Sequence, residues 1–254
     1  MSRRRLDERV TADGLADSRS IAQRLILAGT VRVDGQRVDK SGTLVRDDQV
    51  VTVDAPPRFV SRGGEKLDNG FAHFGQLMDQ LGLAVDGARA IDIGASTGGF
   101  TDCLLQRGAS SVIAVDVGYG QLHQRLRTDD RVVVMERTNA RHLTAEMLPW
   151  APNLIVCDAS FIPLGTVLPA PLSCMEQNFF GIILCKPQFE AGRARLAQGG
   201  KRGVITDVGL RDEIVSETHD TLCNLGLEVL DVAEAHPRGP KGNVEYVMLV
   251  RNAS

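Results

Sequence analysis

The sequence predicts an α/β protein: a mainly parallel seven-stranded sheet with a terminal antiparallel hairpin, preceded by a small α+β unit. Three observations carry this. Apolar runs at residues 90–93, 112–115, 132–135, 154–157, 181–185, 227–232 and 244–250 alternate with helical segments, the pattern of a parallel sheet covered on both faces. The last two runs are joined only by a loop containing Pro and Gly, residues 235–243, so they are expected to pair antiparallel at one edge. The first 53 residues follow another pattern, closed by Ala55-Pro-Pro57, where proline neither donates to a ladder nor continues a helix.

In chain order, residues 1–56 form the first unit. Leu6 and Val10 share one face of a short helix, and Ser18 is the N-cap of a second helix over 19–28 with Ile21, Ala22, Leu25 and Ile26 facing inward. Gly29 closes that helix. Residues 31–38 make two short strands around an Asp34-Gly35 turn, and residues 50–53 add a strand. Residues 57–64 are expected to be a linker whose Gly63 and Gly64 let the units reorient. In the second unit, residues 65–254, Leu67, Phe71, Phe74 and Leu77 recur at helical spacing over 66–81 before the strands begin.

Bulk composition narrows the class. At 254 residues, 43% hydrophobic and 24% charged, the chain can bury a proper core and reads as a soluble globular protein. No apolar stretch reaches the ~18 residues of a membrane span, and the basic start lacks the apolar run of a secretion signal, so a cytoplasmic location is expected. The five cysteines, Cys103, Cys157, Cys174, Cys185 and Cys223, are scattered and form no C-x-x-C pair, so neither zinc nor a disulfide framework is expected. No metal site is expected. Net charge is −3, yet residues 1–60 carry 11 Lys/Arg against 9 Asp/Glu and the remainder 18 against 23. A weakly basic unit beside an acidic body is compatible with RNA contact.

The most informative segment is residues 90–102, in which an apolar run ends in an acid, breaks into a glycine-rich turn and resumes as a helix start. Backbone N–H groups gather around a ligand at such a turn. The next apolar run ends in Asp116, 24 residues after Asp92, and an acid there suits the two hydroxyls of a ribose. A nucleoside-containing cofactor follows. The turn lacks both the G-x-G-x-x-G spacing of the nicotinamide fingerprint and the Lys-Ser/Thr ending of a P-loop. Four ionisable residues stand at element ends suited to a site: Lys66 at the first helix, Asp158 and Lys186 after the fourth and fifth strands, and Glu245 at the start of the last. Taken singly, each reads as an ordinary surface ion pair.

Three stretches resemble known families. The run from Asp92 to Phe100 resembles the first motif of class I S-adenosylmethionine-dependent methyltransferases, D-x-G-x-x-x-G-G-F-T. That resemblance implies a Rossmann-like methyltransferase fold and S-adenosyl-L-methionine as cofactor. Asp92, Gly94, Ala95, Ser96, Thr97, Gly98, Gly99 and Phe100 would then form the loop at its methionine half, with Asp116 on the ribose and Asn139 on the adenine. Residues 3–53 resemble the S4 RNA-binding domain through Arg5-Leu-Asp7, Gly14-Leu15, Ser18-Arg19, Ala22, Ile26, Gly29-Thr-Val31, Val33-Asp-Gly35 and Asp47-Asp48. By that resemblance Arg3, Arg4, Arg5, Arg19, Arg24, Arg32 and Arg37 face structured RNA. The four ionisable residues resemble the Lys-Asp-Lys-Glu tetrad of FtsJ-type RNA 2′-O-methyltransferases. This implies Lys186 as general base, Asp158 and Glu245 orienting and polarising it, and Lys66 holding the target ribose.

Together, S4 domain, linker and FtsJ-like domain resemble the TlyA (haemolysin A-like) family, which methylates cytidine ribose in bacterial 16S and/or 23S ribosomal RNA. Ribosomal RNA or its subunits are then the expected partner, without a membrane, and a monomer is favoured although the oligomeric state is open. The segment 58–64 corresponds to a part of the family thought to sense RNA docking. Loops 190–204 and 236–243, rich in Gly, Lys and Arg, are expected to contact phosphates. Two alternatives stay open: a membrane-active haemolysin, and a non-catalytic RNA-binding protein that uses its S4 domain alone.

Overall fold

The computed structural model describes residues 3–55, 57–192, 195–196, 200–201, 203–239 and 242–253. The chain divides into two compact units, Met1–Arg58 and Phe59–Ser254.

In the first unit, β1 (Arg3–Arg5) runs into α1 (Leu6–Ala12), followed by α2 (Arg19–Leu27), β2 (Val31–Val33), β3 (Gln36–Arg37), β4 (Leu44–Arg46) and β5 (Val51–Val53). Ser18 caps α2 by accepting the Ile21 N–H, which satisfies one of the free donors of a helix start. Asp34 and Gly35 both take positive φ, 51° and 79°, as a two-residue hairpin turn matched to strand twist requires. β2 pairs antiparallel with both β3 and β5, while β1 pairs with β4. The β1–β4 ribbon is absent from the expectation because three successive arginines show no apolar alternation. Only Val45 of that ribbon is buried, in a core with Leu6, Val10, Ala22, Ile26, Val31, Val33 and Val51.

The second unit opens with α3 (Arg62–Leu81), then β6 (Arg89–Ile93), α4 (Gly99–Gln106), β7 (Ser111–Val115), α5 (Gln124–Arg127), β8 (Val132–Met135) and β9 (Leu154–Cys157). There follow α6 (Leu164–Val167), α7 (Pro169–Ser173), β10 (Phe180–Cys185), α8 (Pro187–Glu190), the short pair β11 (Gly200–Lys201) and β12 (Val204–Ile205), α9 (Val208–Asn224), β13 (Leu227–Glu234) and β14 (Tyr246–Asn252). The large sheet has the order β13-β14-β10-β9-β6-β7-β8. Its five strands β6 to β10 are parallel, and β14 slots antiparallel between β10 and β13.

Period-two alternation splits the strand side chains between two cores. Ala90, Val112, Ala114, Leu154, Val156, Ile182 and Leu184 face one core with Leu67, Phe71, Phe74 and Met78 of α3. Ile91, Ile93, Ile113, Val115, Ile155, Cys157, Ile183 and Cys185 face the other, with Leu164 and Leu222. Cys157 and Cys185 act there as small hydrophobes, and burial pushes both thiols up to about 12. No helix among the described residues is long and apolar enough to cross a membrane.

The segment expected as a linker, residues 57–64, is largely taken up by the second unit. Phe59 is buried in that unit's core, the Val60 N–H donates to Asp102, and helix α3 begins at Arg62. Gly64 allows close packing: a Cβ there would lie 2.4 Å from Phe59 Cγ and 2.9 Å from the Gly99 carbonyl oxygen. Gly64→Ala is therefore expected to destabilise this unit by about 1–3 kcal/mol, the usual cost of overpacking. A lower urea midpoint with an unchanged slope would report it.

Candidate active site

The turn between β6 and α4 is shaped by its left-handed residues, Gly94 (φ 81°), Ser96 (φ 48°) and Gly98 (φ 94°). A Cβ on Gly94 would meet the main chain of Ala159 at 3.2 Å, so the ends of β6 and β9 approach as closely as only glycine permits. The Gly94 and Ala95 N–H groups donate to the Val115 carbonyl oxygen. The Ser96 N–H donates to Asp116 Oδ2 at 2.8 Å, while Asp116 Oδ1 accepts from the Gly118 N–H. The turn is thus tied to the end of β7.

This turn forms part of the wall of a cavity of about 810 Å³, the size of a site for a drug-sized molecule. Gly94, Ala95, Ser96, Thr97, Gly99 and Phe100 line it, as do all four residues Lys66, Asp158, Lys186 and Glu245. Asp92, Gly98, Asp116 and Asn139 are not among its lining residues. Asp92 is fully buried, and its Oδ2 accepts from Thr101 N–H at 2.9 Å and from Thr101 Oγ1 at 2.6 Å, pinning the strand end to the first turn of α4. Burial pushes its carboxyl up to about 7. Gly98 faces Leu122 and Leu126, and Asn139 caps a short 3₁₀ turn by accepting from Arg141 N–H. Asp116 reaches the cavity wall through Ser96.

The four ionisable residues form two buried pairs. Lys66, one turn into α3, places Nζ 2.5 Å from Glu245 Oε2, and Gln188 Nε2 donates to the other carboxylate oxygen at 3.3 Å. Lys186, the N-cap of α8, places Nζ 2.6 Å from Asp158 Oδ1. It also donates to the Asp158 main-chain oxygen at 3.2 Å and to Ser160 Oγ at 2.7 Å. Lys66 and Lys186 are each 7% exposed and Glu245 1%, so these are not solvated surface pairs. Burial raises the Asp158 carboxyl above its ordinary range, against the opposing pull of Lys186 and Lys66.

Lining residues that the sequence did not announce include Ser160, Phe161, Gln188 and Phe189. Phe161 takes φ 67°, a strained value for a bulky side chain, and holds its ring 88% exposed, 4.8 Å from that of Phe189. Neither period two nor period 3.6 marks such a residue. The one available signal is its place three residues beyond Asp158.

The seven arginines expected to face RNA differ in freedom. Arg5 and Arg19 donate to Asp7, which is fully buried and also accepts from Gln23 Nε2 at 2.8 Å. Burial alone would raise that carboxyl, but these donors hold it well below the carboxylate range. Both guanidiniums are fixed in place with side chains 42% and 50% exposed. Arg32 pairs with Asp54 at 2.9 Å and Arg37 donates to the Ala28 carbonyl, while Arg3, Arg4 and Arg24 are exposed. In the two loops expected at phosphates, Arg193, Arg202 and Lys241 lie outside the described residues. Arg195 pairs there with Glu213 and Glu217, and Arg238 with Glu234. Among the described residues no group of three or more His, Cys, Asp or Glu could hold a metal ion.

The turn's left-handed glycines, its close backbone approach and Asp116 beside it fit a nucleoside-containing ligand. Comparison with known proteins agrees. The FtsJ-like methyltransferase family model matches residues 59–252 and the S4 domain model residues 4–51. The chain is 45% identical over 254 residues to the 16S/23S rRNA (cytidine-2′-O)-methyltransferase TlyA of Mycobacterium tuberculosis H37Rv, covering 99% of this chain and 91% of that protein. It is 40% identical over 244 residues to Hemolysin A of Brachyspira hyodysenteriae, covering 96% and 98%. A solved Streptococcus thermophilus chain named as a hemolysin superposes with a TM-score of 0.73 at 34% identity, covering 100% of this chain and 90% of that one.

Proposed function

The chain belongs to the FtsJ-like methyltransferases, as a TlyA-type member that carries an S4 domain, and we propose that it methylates a cytidine 2′-hydroxyl in ribosomal RNA with Lys186 as the base. S-adenosylmethionine supplies a methyl group on a positively charged sulfur that leaves as a neutral thioether. The turn 94–97 and Asp116 would hold it. The remaining work is alignment and removal of one proton. Lys186 Nζ takes the 2′-hydroxyl proton as the oxygen attacks, and Asp158 holds that amine in place. Lys66, oriented by Glu245, faces the same cavity and positions the ribose. Phe161, exposed at the mouth, offers an aromatic face on which an extruded base can stack. The S4 unit, with Arg3, Arg4 and Arg24 free at its surface, grips folded RNA. A cytoplasmic site of action goes with that substrate.

One observation carries the reading: Lys66, Asp158, Lys186 and Glu245, spread over 180 residues, converge on one cavity beside the glycine turn. A non-catalytic RNA-binding protein would have no use for that convergence. Incubating the protein with labelled S-adenosylmethionine and purified ribosomal subunits, then mapping ribose methylation, tests it. Label on a cytidine 2′-oxygen is expected; label on a base or on no RNA overturns the assignment. Asp116→Ala is expected to weaken cofactor binding about tenfold or more by calorimetry, since a charged acceptor is lost and the Ser96 N–H is freed.

A further inference from the structure

Three oxygens surround the amine of Lys186. The Asp158 main-chain oxygen at 3.2 Å and Ser160 Oγ at 2.7 Å accept hydrogen bonds from it, and Asp158 Oδ1 stands at 2.6 Å as its ion-pair partner. A base must first be neutral, with two N–H groups and a lone pair. While Asp158 is ionised, both of its oxygens can only accept, so they keep the two remaining N–H groups. The lone pair is left in the third direction, towards Ser160. A hydroxyl is the single partner of the three that can reverse, accepting from the ammonium and donating to the amine. Ser160 is exposed and lines the cavity, whereas Lys186 is buried, so this direction is also the open one.

We propose that Ser160 is a positioning residue for methyl transfer, whose reversible hydrogen bond keeps the Lys186 lone pair turned into the cavity, where the ribose hydroxyl must arrive. This rests on the reading of Lys186 as the base. In the reactive complex the 2′-hydroxyl takes the place of the serine on the lone pair. As the oxygen–carbon bond to the methyl forms and the sulfur–carbon bond breaks, the 2′-proton passes to Nζ. Ser160 then accepts from the ammonium again, and its own proton passes to water in the cavity as Nζ gives one up, which returns the amine to its neutral state.

The test is the single-turnover rate constant at saturating S-adenosylmethionine and ribosomal RNA for wild type, Ser160→Ala, Ser160→Thr and Lys186→Met. Ser160→Ala is expected to slow transfer about tenfold or more, the value of one lost hydrogen bond to a charged group, with cofactor affinity and RNA KM changed by less than about twofold. Ser160→Thr, which keeps the hydroxyl, is expected to stay within about threefold of wild type. A Ser160→Ala rate within about twofold of wild type, or a threonine variant as slow as alanine, overturns the role of the hydroxyl. If Lys186→Met is inactive while Ser160→Ala is normal, the serine inference alone fails. If Lys186→Met turns over, the base assignment fails and the serine role falls with it.

Discussion

Lys186→Met is expected to lower the single-turnover rate of methyl transfer by about 10²–10⁴-fold, the range of a lost general base. Cofactor affinity measured by calorimetry is expected to persist. Methionine matches the length of lysine but carries no proton site, so substrate positioning through the rest of the cavity survives. It also strips Asp158 of its cation, which is a second and unwanted effect. Lys186→Arg separates the two. Arginine restores the charge beside Asp158 but stays protonated in proteins, so it can pair and cannot abstract. If proton removal is the role, arginine is as inactive as methionine while its thermal unfolding stays close to wild type. An arginine variant that retains turnover within about tenfold would show that positive charge alone suffices, and Lys186 would be an electrostatic element rather than the base.

Much of this was legible in the chain because the strands announce themselves. Strands buried on both faces are apolar almost throughout, so the runs at 112–115, 154–157 and 181–185 stand out, and the short 235–243 connection dictates antiparallel pairing of the last two strands. Where side chains do not report burial, reading failed. The β1–β4 ribbon is built from Arg3, Arg4 and Arg5, which carry no apolar alternation. Gly63 and Gly64 suggested a flexible joint, because sequence cannot tell a glycine that must bend from one that must admit a neighbour. Gly64 admits Phe59 and the Gly99 carbonyl. The tetrad was visible as four strand or helix ends matching a family pattern, but its division into a Lys66–Glu245 pair and a Lys186–Asp158 pair is a property of packing. Ser160 was hidden for the same reason: its importance lies in a 2.7 Å contact across two loops.

Glu245→Ala is expected to lower the stability of the second unit by about 3–5 kcal/mol, the cost of leaving one partner of a buried ion pair behind. Glu245 is 1% exposed and its carboxylate engages Lys66 on one oxygen and Gln188 on the other. Alanine leaves the Lys66 ammonium desolvated and unpaired, and opens a void beside Gly239, where a Cβ would lie 2.2 Å from Glu245 Oε1. Fluorescence of Trp150, the single tryptophan of the chain, packs against this unit's second core and reports the transition. The informative comparison is a double variant, Lys66→Met with Glu245→Met. Replacing both partners by apolar side chains removes the desolvation of two charges together, so stability should recover to wild type or above. Methyl transfer should not recover if Lys66 holds the ribose as proposed, since its amine is gone. That outcome would mean the pair is kept for the reaction and not for the fold. A double variant as unstable as Glu245→Ala would instead make the Lys66–Glu245 contact a structural bond, and would remove Lys66 from the account of how the ribose is held.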